Sequence, residues 1–153
     1  MTGGRSLGRA EILQLLTELA QELADRASTA TLFVVGGAAM SLAFDSRRAT
    51  ADVDAAFQPS PEVRSAAAVV GLRHGLPADW LNDGAKGFMP GTDPGATVLF
   101  DSHSLRVELA SAEYLLAMKV RAARVELDAD DIHTLYGILG LTTVEEGLSI
   151  AER

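Results

Sequence analysis

The chain has 153 residues, 48% hydrophobic and 22% charged, with no Cys and a formal net charge of -8. This length and apolar content suit one compact domain over residues 1–153, and the lack of Cys excludes both a disulfide framework and a thiolate zinc site. No apolar run approaches the roughly 20 residues of a membrane-spanning helix, no signal-peptide pattern opens the chain, and the acidic balance argues against a surface built throughout to grip phosphate backbones, so a cytoplasmic protein with no membrane partner is expected.

Residues 1–7 (MTGGRSL) have the Gly-rich, polar composition of a frayed terminus. From Arg9 to Arg26, Ile12, Leu15, Leu16, Leu19 and Leu23 recur at steps of three and four with acids between them, the pattern of an amphipathic helix. Thr31–Val35 is a short β-rich run closed by Gly36-Gly37 and reads as a buried strand, with a helix over Ala38–Phe44 directly behind it. Ala51–Phe57 alternates, which predicts a strand with Asp52, Asp54 and Ala56 on one face and Val53, Ala55 and Phe57 on the other. Pro59 and Pro61 end it, and Pro61–Val70 reads as a helix. Gly71–Gly95, which holds Trp80, reads as a long loop with no more than one helical turn. Trp80 and Phe88 within it are either a lid over a cleft or loop aromatics packed on the core.

Ala96–Phe100 and Leu105–Ala110 read as two strands joined around Asp101-Ser102-His103-Ser104. Ser111 suits the N-cap of a helix from Ala112 to Val125. Asp128 suits the cap of another from Ala129 to Leu139, and Thr142 with Glu145 makes a capping-box signature for a last helix ending near Glu152. The fold class that follows is α/β, or α+β by stricter usage: a small mixed sheet flanked by helices, with any site on one sheet face.

Asp is a poor strand residue, and two on one face of one strand are a local conflict. A solvated face would explain them. So would a site, because a glycine turn opening a helix presents backbone N–H groups to an anion such as phosphate, and carboxylates beside it are the oxygen ligands that Mg²⁺ takes. Arg47 and Arg48, just ahead, are either a solvated turn or an anchor for an acceptor phosphate.

The C-terminal helices add a second oddity. At 100° per residue from Leu115, Lys119 falls at about 40°, within the apolar face, while Arg121 and Arg124 fall on the opposite side. By the same arithmetic Asp131 lies between Ile138 and Leu135. A charge on an apolar face needs a partner or a use. Lys119 and Asp131 are therefore a buried ion pair, or a snorkelling Lys, or two residues facing the cleft of the Asp52/Asp54 strand. His74, His103 and His133 show no metal or triad spacing and read as loop or surface residues.

Three segments occur in order: Val34-Val35-Gly36-Gly37-Ala38-Ala39, then Arg48-Ala49-Thr50-Ala51-Asp52-Val53-Asp54, then Leu115-Leu116-Ala117-Met118-Lys119 with Arg124, Asp128 and Asp131. In this the chain resembles the minimal nucleotidyltransferase superfamily and, within it, the nucleotidyltransferase-like proteins of bacterial toxin–antitoxin systems related to AbiEii toxins. Asp79-Trp80-Leu81-Asn82-Asp83 with Lys86-Gly87-Phe88 looks like an uncharacterised branch of that group. The resemblance implies that Gly36 and Gly37 hold nucleotide phosphates, that Asp52 and Asp54 hold Mg²⁺, that Lys119 contacts the triphosphate, and that Asp131 is the late catalytic acid. Many members carry a third metal-binding carboxylate on a neighbouring strand, for which Glu108 is the candidate, with a surface salt bridge to Arg106 as its ordinary role. The usual Gly-Ser is Gly-Gly here.

Two functions follow as expectations. One is a Mg²⁺-dependent enzyme moving a nucleotide from an NTP to a tRNA or protein acceptor, as a toxin–antitoxin component with a cognate partner. The other is a degenerate nucleotidyltransferase fold acting as a partner-binding or antitoxin-like module; a third, weaker option is a nucleotide sensor that binds NTP without transferring it.

Overall fold

The computed structural model describes residues 6–122 and 125–151. They pack as two compact units, one formed by residues up to Lys86 together with Val98–Leu109, the other by Gly87–Thr97 and the residues from Ala110 onward.

The first unit begins with helix α1 (Arg9–Asp25), whose buried residues are the five apolar positions of the three-and-four repeat. Strand β1 (Ala30–Val35) follows, then the short helix α2 (Gly36–Ala39), which continues as a π-helical turn over Met40–Phe44. Strand β2 (Val53–Gln58) leads into helix α3 (Ser60–Arg73). The remaining strands are β3 (Leu81–Asn82), β4 (Thr97–Asp101) and β5 (Leu105–Leu109). They form one five-stranded sheet in the order β3-β2-β1-β5-β4. β1 runs antiparallel to β2 and parallel to β5, and β2 runs parallel to β3, so the sheet is mixed as expected.

One sheet face is the core. Leu32 and Val34 of β1, Val53, Ala55 and Phe57 of β2, and Leu105, Val107 and Leu109 of β5 are all buried, while α3 packs on β2 and β3 and α1 packs on α3. The alternate residues Phe33, Asp54, Ala56, Arg106 and Glu108 are only partly covered, so the period-two pattern correctly separates the two faces.

Several boundaries differ from the sequence reading, each for a local reason. Leu7, expected in a frayed terminus, is 1% exposed and exchanges two backbone hydrogen bonds with Thr50 (2.7 and 3.0 Å); residues 1–5 lie outside the described residues. The second strand starts at Val53, because Thr50 is engaged by Leu7 instead of extending the ladder, and Asp52 therefore sits just ahead of β2. Gly71–Gly95 is more ordered than a long loop. Trp80 is 1% exposed, its indole N–H donates to the Ala67 carbonyl at 2.7 Å, and its own carbonyl accepts from Val53 N at 2.6 Å. That anchor sets Leu81 and Asn82 beside Val53 and Asp54. Trp80 is thus a core residue and no lid.

The second unit holds helices α4 (Ala112–Ala122), α5 (Val125–Leu139) and α6 (Val144–Ala151), with α4 packed on both others. Ser111 caps α4 as expected, accepting from Tyr114 N at 3.2 Å, and Asp93 holds it by accepting from its N–H and hydroxyl at 2.7 and 2.8 Å. Asp128 lies inside α5 and not at its cap. The last capping box is shifted by one residue. Glu146 N donates to Thr143 Oγ1 at 3.3 Å and the Glu146 carboxylate accepts from Thr143 N at 2.9 Å, so Thr143 and not Thr142 is the cap residue. No helix of the described residues is long and apolar enough to cross a membrane.

The Trp80 anchor also limits α3. A Cβ on Gly71 would stand 2.7 Å from Trp80 Cδ1 and 3.2 Å from the Pro77 carbonyl oxygen. Ala is favoured over Gly in a helix by about 1 kcal/mol, but overpacking of this kind costs about 1–3 kcal/mol. Gly71→Ala is expected to lower the denaturant midpoint despite the better helix propensity; a midpoint at or above wild type would show that Trp80 has room to move.

Candidate active site

Gly36 opens the site. Its φ of +63° lies in the left-handed region that glycine adopts at least cost. A Cβ there would stand 3.1 Å from Asp54 Oδ2. The register explains the closeness: Val35 pairs with Asp54 across the β1–β2 ladder, so the turn after β1 comes down beside that carboxylate. Gly37 is hemmed in from another side. A Cβ on it would stand 2.9 Å from Thr50 Oγ1 and 3.0 Å from Arg48 Nη2. A serine at 37 would need the Arg48 and Thr50 side chains to shift.

Asp54 projects from the partly covered face of β2. Asp52 reaches the same side by a different route. Asn82, level with Asp54 on the parallel strand β3, directs its amide Nδ2 to Asp52 Oδ2 at 3.4 Å. The Thr50 hydroxyl donates to the Asp52 carbonyl at 3.1 Å, which ties down the backbone there. Asp52 is half-buried. Burial pushes its carboxyl above the usual range, the Asn82 donor pulls against that, and the negative charge of Asp79 adds to the rise.

Sequence reasoning named the glycines and the two acids but left Arg48 undecided, and it did not single out Thr50 or Asn82 as site residues. Arg48 is partly buried, with Nη1 donating to the Ala49 carbonyl and Nη2 against Gly37; Arg47 is exposed. The Arg-x-Thr-x-Asp-x-Asp spacing was the available signal for Arg48 and Thr50. Nothing local marked Asn82, whose role depends on β3 lying beside β2.

The other named residues lie elsewhere. Glu108 accepts from Arg106 Nε at 2.9 Å. It is level with Phe33 on β1, which is level with Ala56 on β2, so it stands two strands from Asp54 and one repeat along. Among the described residues no group of three or more acidic or His side chains is placed to hold a metal ion, and Glu108 is not brought together with Asp52 and Asp54. Lys119 and Asp131 belong to the second unit. They form an ion pair of 3.0 Å with side chains 9% and 8% exposed, as the buried-pair reading expects. His74 meets Glu18 at 2.8 Å, and His103 and His133 are exposed. Arg124 and the side chains of Phe88 and Asp128 lie outside the described residues.

A family model described as "nucleotidyltransferase of unknown function (DUF6036)" matches residues 11–146. The chain belongs to this nucleotidyltransferase family. The match runs across both units, including the glycine turn and the acidic pair of the first and the Lys119–Asp131 pair of the second. No curated protein and no solved structure matches the chain significantly. The family description leaves the substrate open, so the toxin–antitoxin resemblance bears on function only as a proposal.

The Asp52 environment has a measurable consequence for this family member. A carboxyl whose folded pKa lies above its unfolded value contributes stability while protonated and loses it as pH rises through the folded pKa. In chelator, Asp52→Asn is therefore expected to melt above wild type at pH 7, with the gap closing as pH falls into the carboxylate range. Melting curves at both pH values test this, and a variant that melts lower at pH 7 would contradict burial as the dominant effect.

Proposed function

We propose that the protein is a Mg²⁺-dependent nucleotidyltransferase that moves a nucleotide from an NTP to a tRNA or protein hydroxyl, acting as a toxin–antitoxin component. The observation that carries this reading is the glycine turn set against the Asp54 carboxylate (Gly36 Cβ position to Oδ2, 3.1 Å), with Arg48 against Gly37 and Asp52 two residues before Asp54. Family membership supports the reaction class, and the resemblance to AbiEii-related proteins supports the acceptor and the biological setting.

The donor types fit a hard divalent cation: Asp52 and Asp54 offer carboxylate oxygens, and the chain has no Cys. Asp52 and Asp54 would hold Mg²⁺, and when bound the ion supplies neutralisation of charge on the triphosphate and on the attacking and leaving oxygens. The backbone N–H groups of the Gly36–Gly37 turn would bind the phosphates, and the missing side chains let Asp54, Arg48 and Thr50 close in on the turn. Arg48 adds a fixed positive charge beside Gly37. The acceptor hydroxyl gives up its proton to solvent as its oxygen attacks the α-phosphorus, the bond from that phosphorus to the oxygen bridging to the β-phosphate breaks, and pyrophosphate leaves.

A second reading, a degenerate module that binds a partner protein, is favoured by the ion pairs that already engage Lys119 and Glu108. Calorimetric titration of each NTP with Mg²⁺ separates the two. The enzyme reading expects binding in wild type that disappears without Mg²⁺ and in Asp52→Asn, with transfer to a labelled acceptor falling by at least about 10²-fold in that variant. Absence of binding to every NTP favours the module, and an Asp52→Asn protein with full transfer activity would falsify the enzyme reading.

A further inference from the structure

The segment Asp79–Asp83 lies outside the glycine turn and the acidic strand, yet the first unit spends an unusual set of contacts on it. Trp80 is held by its indole N–H on Ala67 and by its carbonyl on Val53 N. Its ring lies so close to Gly71 that no Cβ fits there. Asp83 accepts from Arg64 at 2.8 Å and faces Lys86 at 3.8 Å. Between these two fixed points stands Asn82, and its amide is fully committed. Gly84 N donates to Oδ1 at 3.0 Å, so the Nδ2 end must face the other way. Its two hydrogens are directed at Asp52 Oδ2 (3.4 Å) and the Asp79 carbonyl (3.3 Å).

A two-residue strand adds little to a sheet by itself. What β3 does is bring one amide donor level with Asp54 and within reach of Asp52. A carboxylate on a half-buried segment just outside the ladder has rotational freedom that a metal site cannot use, and a donor from a rigid neighbour removes it. The residue type also matters. Asn82 occupies, on the strand next to the acidic pair, a place from which an Asp would complete a group of three carboxylates, and it contributes a neutral donor instead.

We propose that Asn82 is a positioning residue for the Asp52 carboxylate, holding it for a divalent cation through the Nδ2–Oδ2 contact. This rests on the reading of Asp52 as a cation ligand. Asn82 supports the ligand without being one, and the Trp80 anchor is the device that keeps it in place.

Mn²⁺ alone, followed by its electron paramagnetic resonance signal on the whole chain, tests the proposal with wild type, Asp52→Asn, Asn82→Ala and Asn82→Asp. Supporting outcomes are loss of binding in Asp52→Asn, about tenfold weaker binding in Asn82→Ala, in line with the loss of an outer-shell partner, and tighter binding in Asn82→Asp. Opposite shifts in the two Asn82 variants are what general damage to the fold would not produce. Should Asn82→Ala fail to fold, the sign of the Asn82→Asp shift decides. Unchanged affinity in the Asn82 variants, or equal weakening in both, overturns the proposal and leaves the cation reading standing. A wild type that binds no Mn²⁺, or an Asp52→Asn protein that binds it as well as wild type does, overturns both.

Discussion

The geometry of the site depends on one close approach, that of the Asp54 carboxylate to the Cα of Gly36. It joins two constraints of different kinds. The turn after β1 must enter the left-handed region, which glycine does without the steric cost other residues bear, and the β1–β2 register must pair Val35 with Asp54 so that the carboxylate meets the turn. A slip of one residue in that ladder would send Asp54 to the core face and an apolar side chain to the site. The buried row of Val53, Ala55 and Phe57 opposes such a slip. Hydrophobic burial on one face of β2 thus holds the chemistry on the other.

The segment from Thr50 to Asp52 lacks that support because it lies ahead of the ladder. Its order comes from outside: Leu7 pairs with Thr50, the Thr50 hydroxyl holds the Asp52 carbonyl, and Asn82 reaches the Asp52 carboxylate. Two other parts of the chain, at Leu7 and Asn82, thus hold this segment, and the Thr50 hydroxyl ties its two ends together. None of these contacts is large, since a net hydrogen bond is worth about 1 kcal/mol, but together they leave the backbone there few alternatives.

The Lys119–Asp131 pair follows a different logic. Desolvating two charges costs several kcal/mol, so such a pair adds little net stability, whereas removing one partner strands the other in an apolar setting at about 3–5 kcal/mol. It therefore specifies how α4 and α5 pack more than it strengthens them.

Much of the architecture was legible in the residues themselves. The apolar stripe of α1, the alternation of β2 and β5, the Ser111 cap and the glycine turn are all encoded within short windows, because periodicity reports which face of an element is buried. The acidic pair stood out for the same reason, as polar residues where a strand pattern asked for something else. What the tertiary structure alone decided concerns neighbours: that Gly71–Gly95 contains a strand, that Trp80 is core, that Gly37 is closed off by Arg48 and Thr50, and that Asn82 meets Asp52. A two-residue strand has no period to read, and an amide's partner depends on which strand lies beside it and in what register, so these facts exist only once the separate segments have packed together.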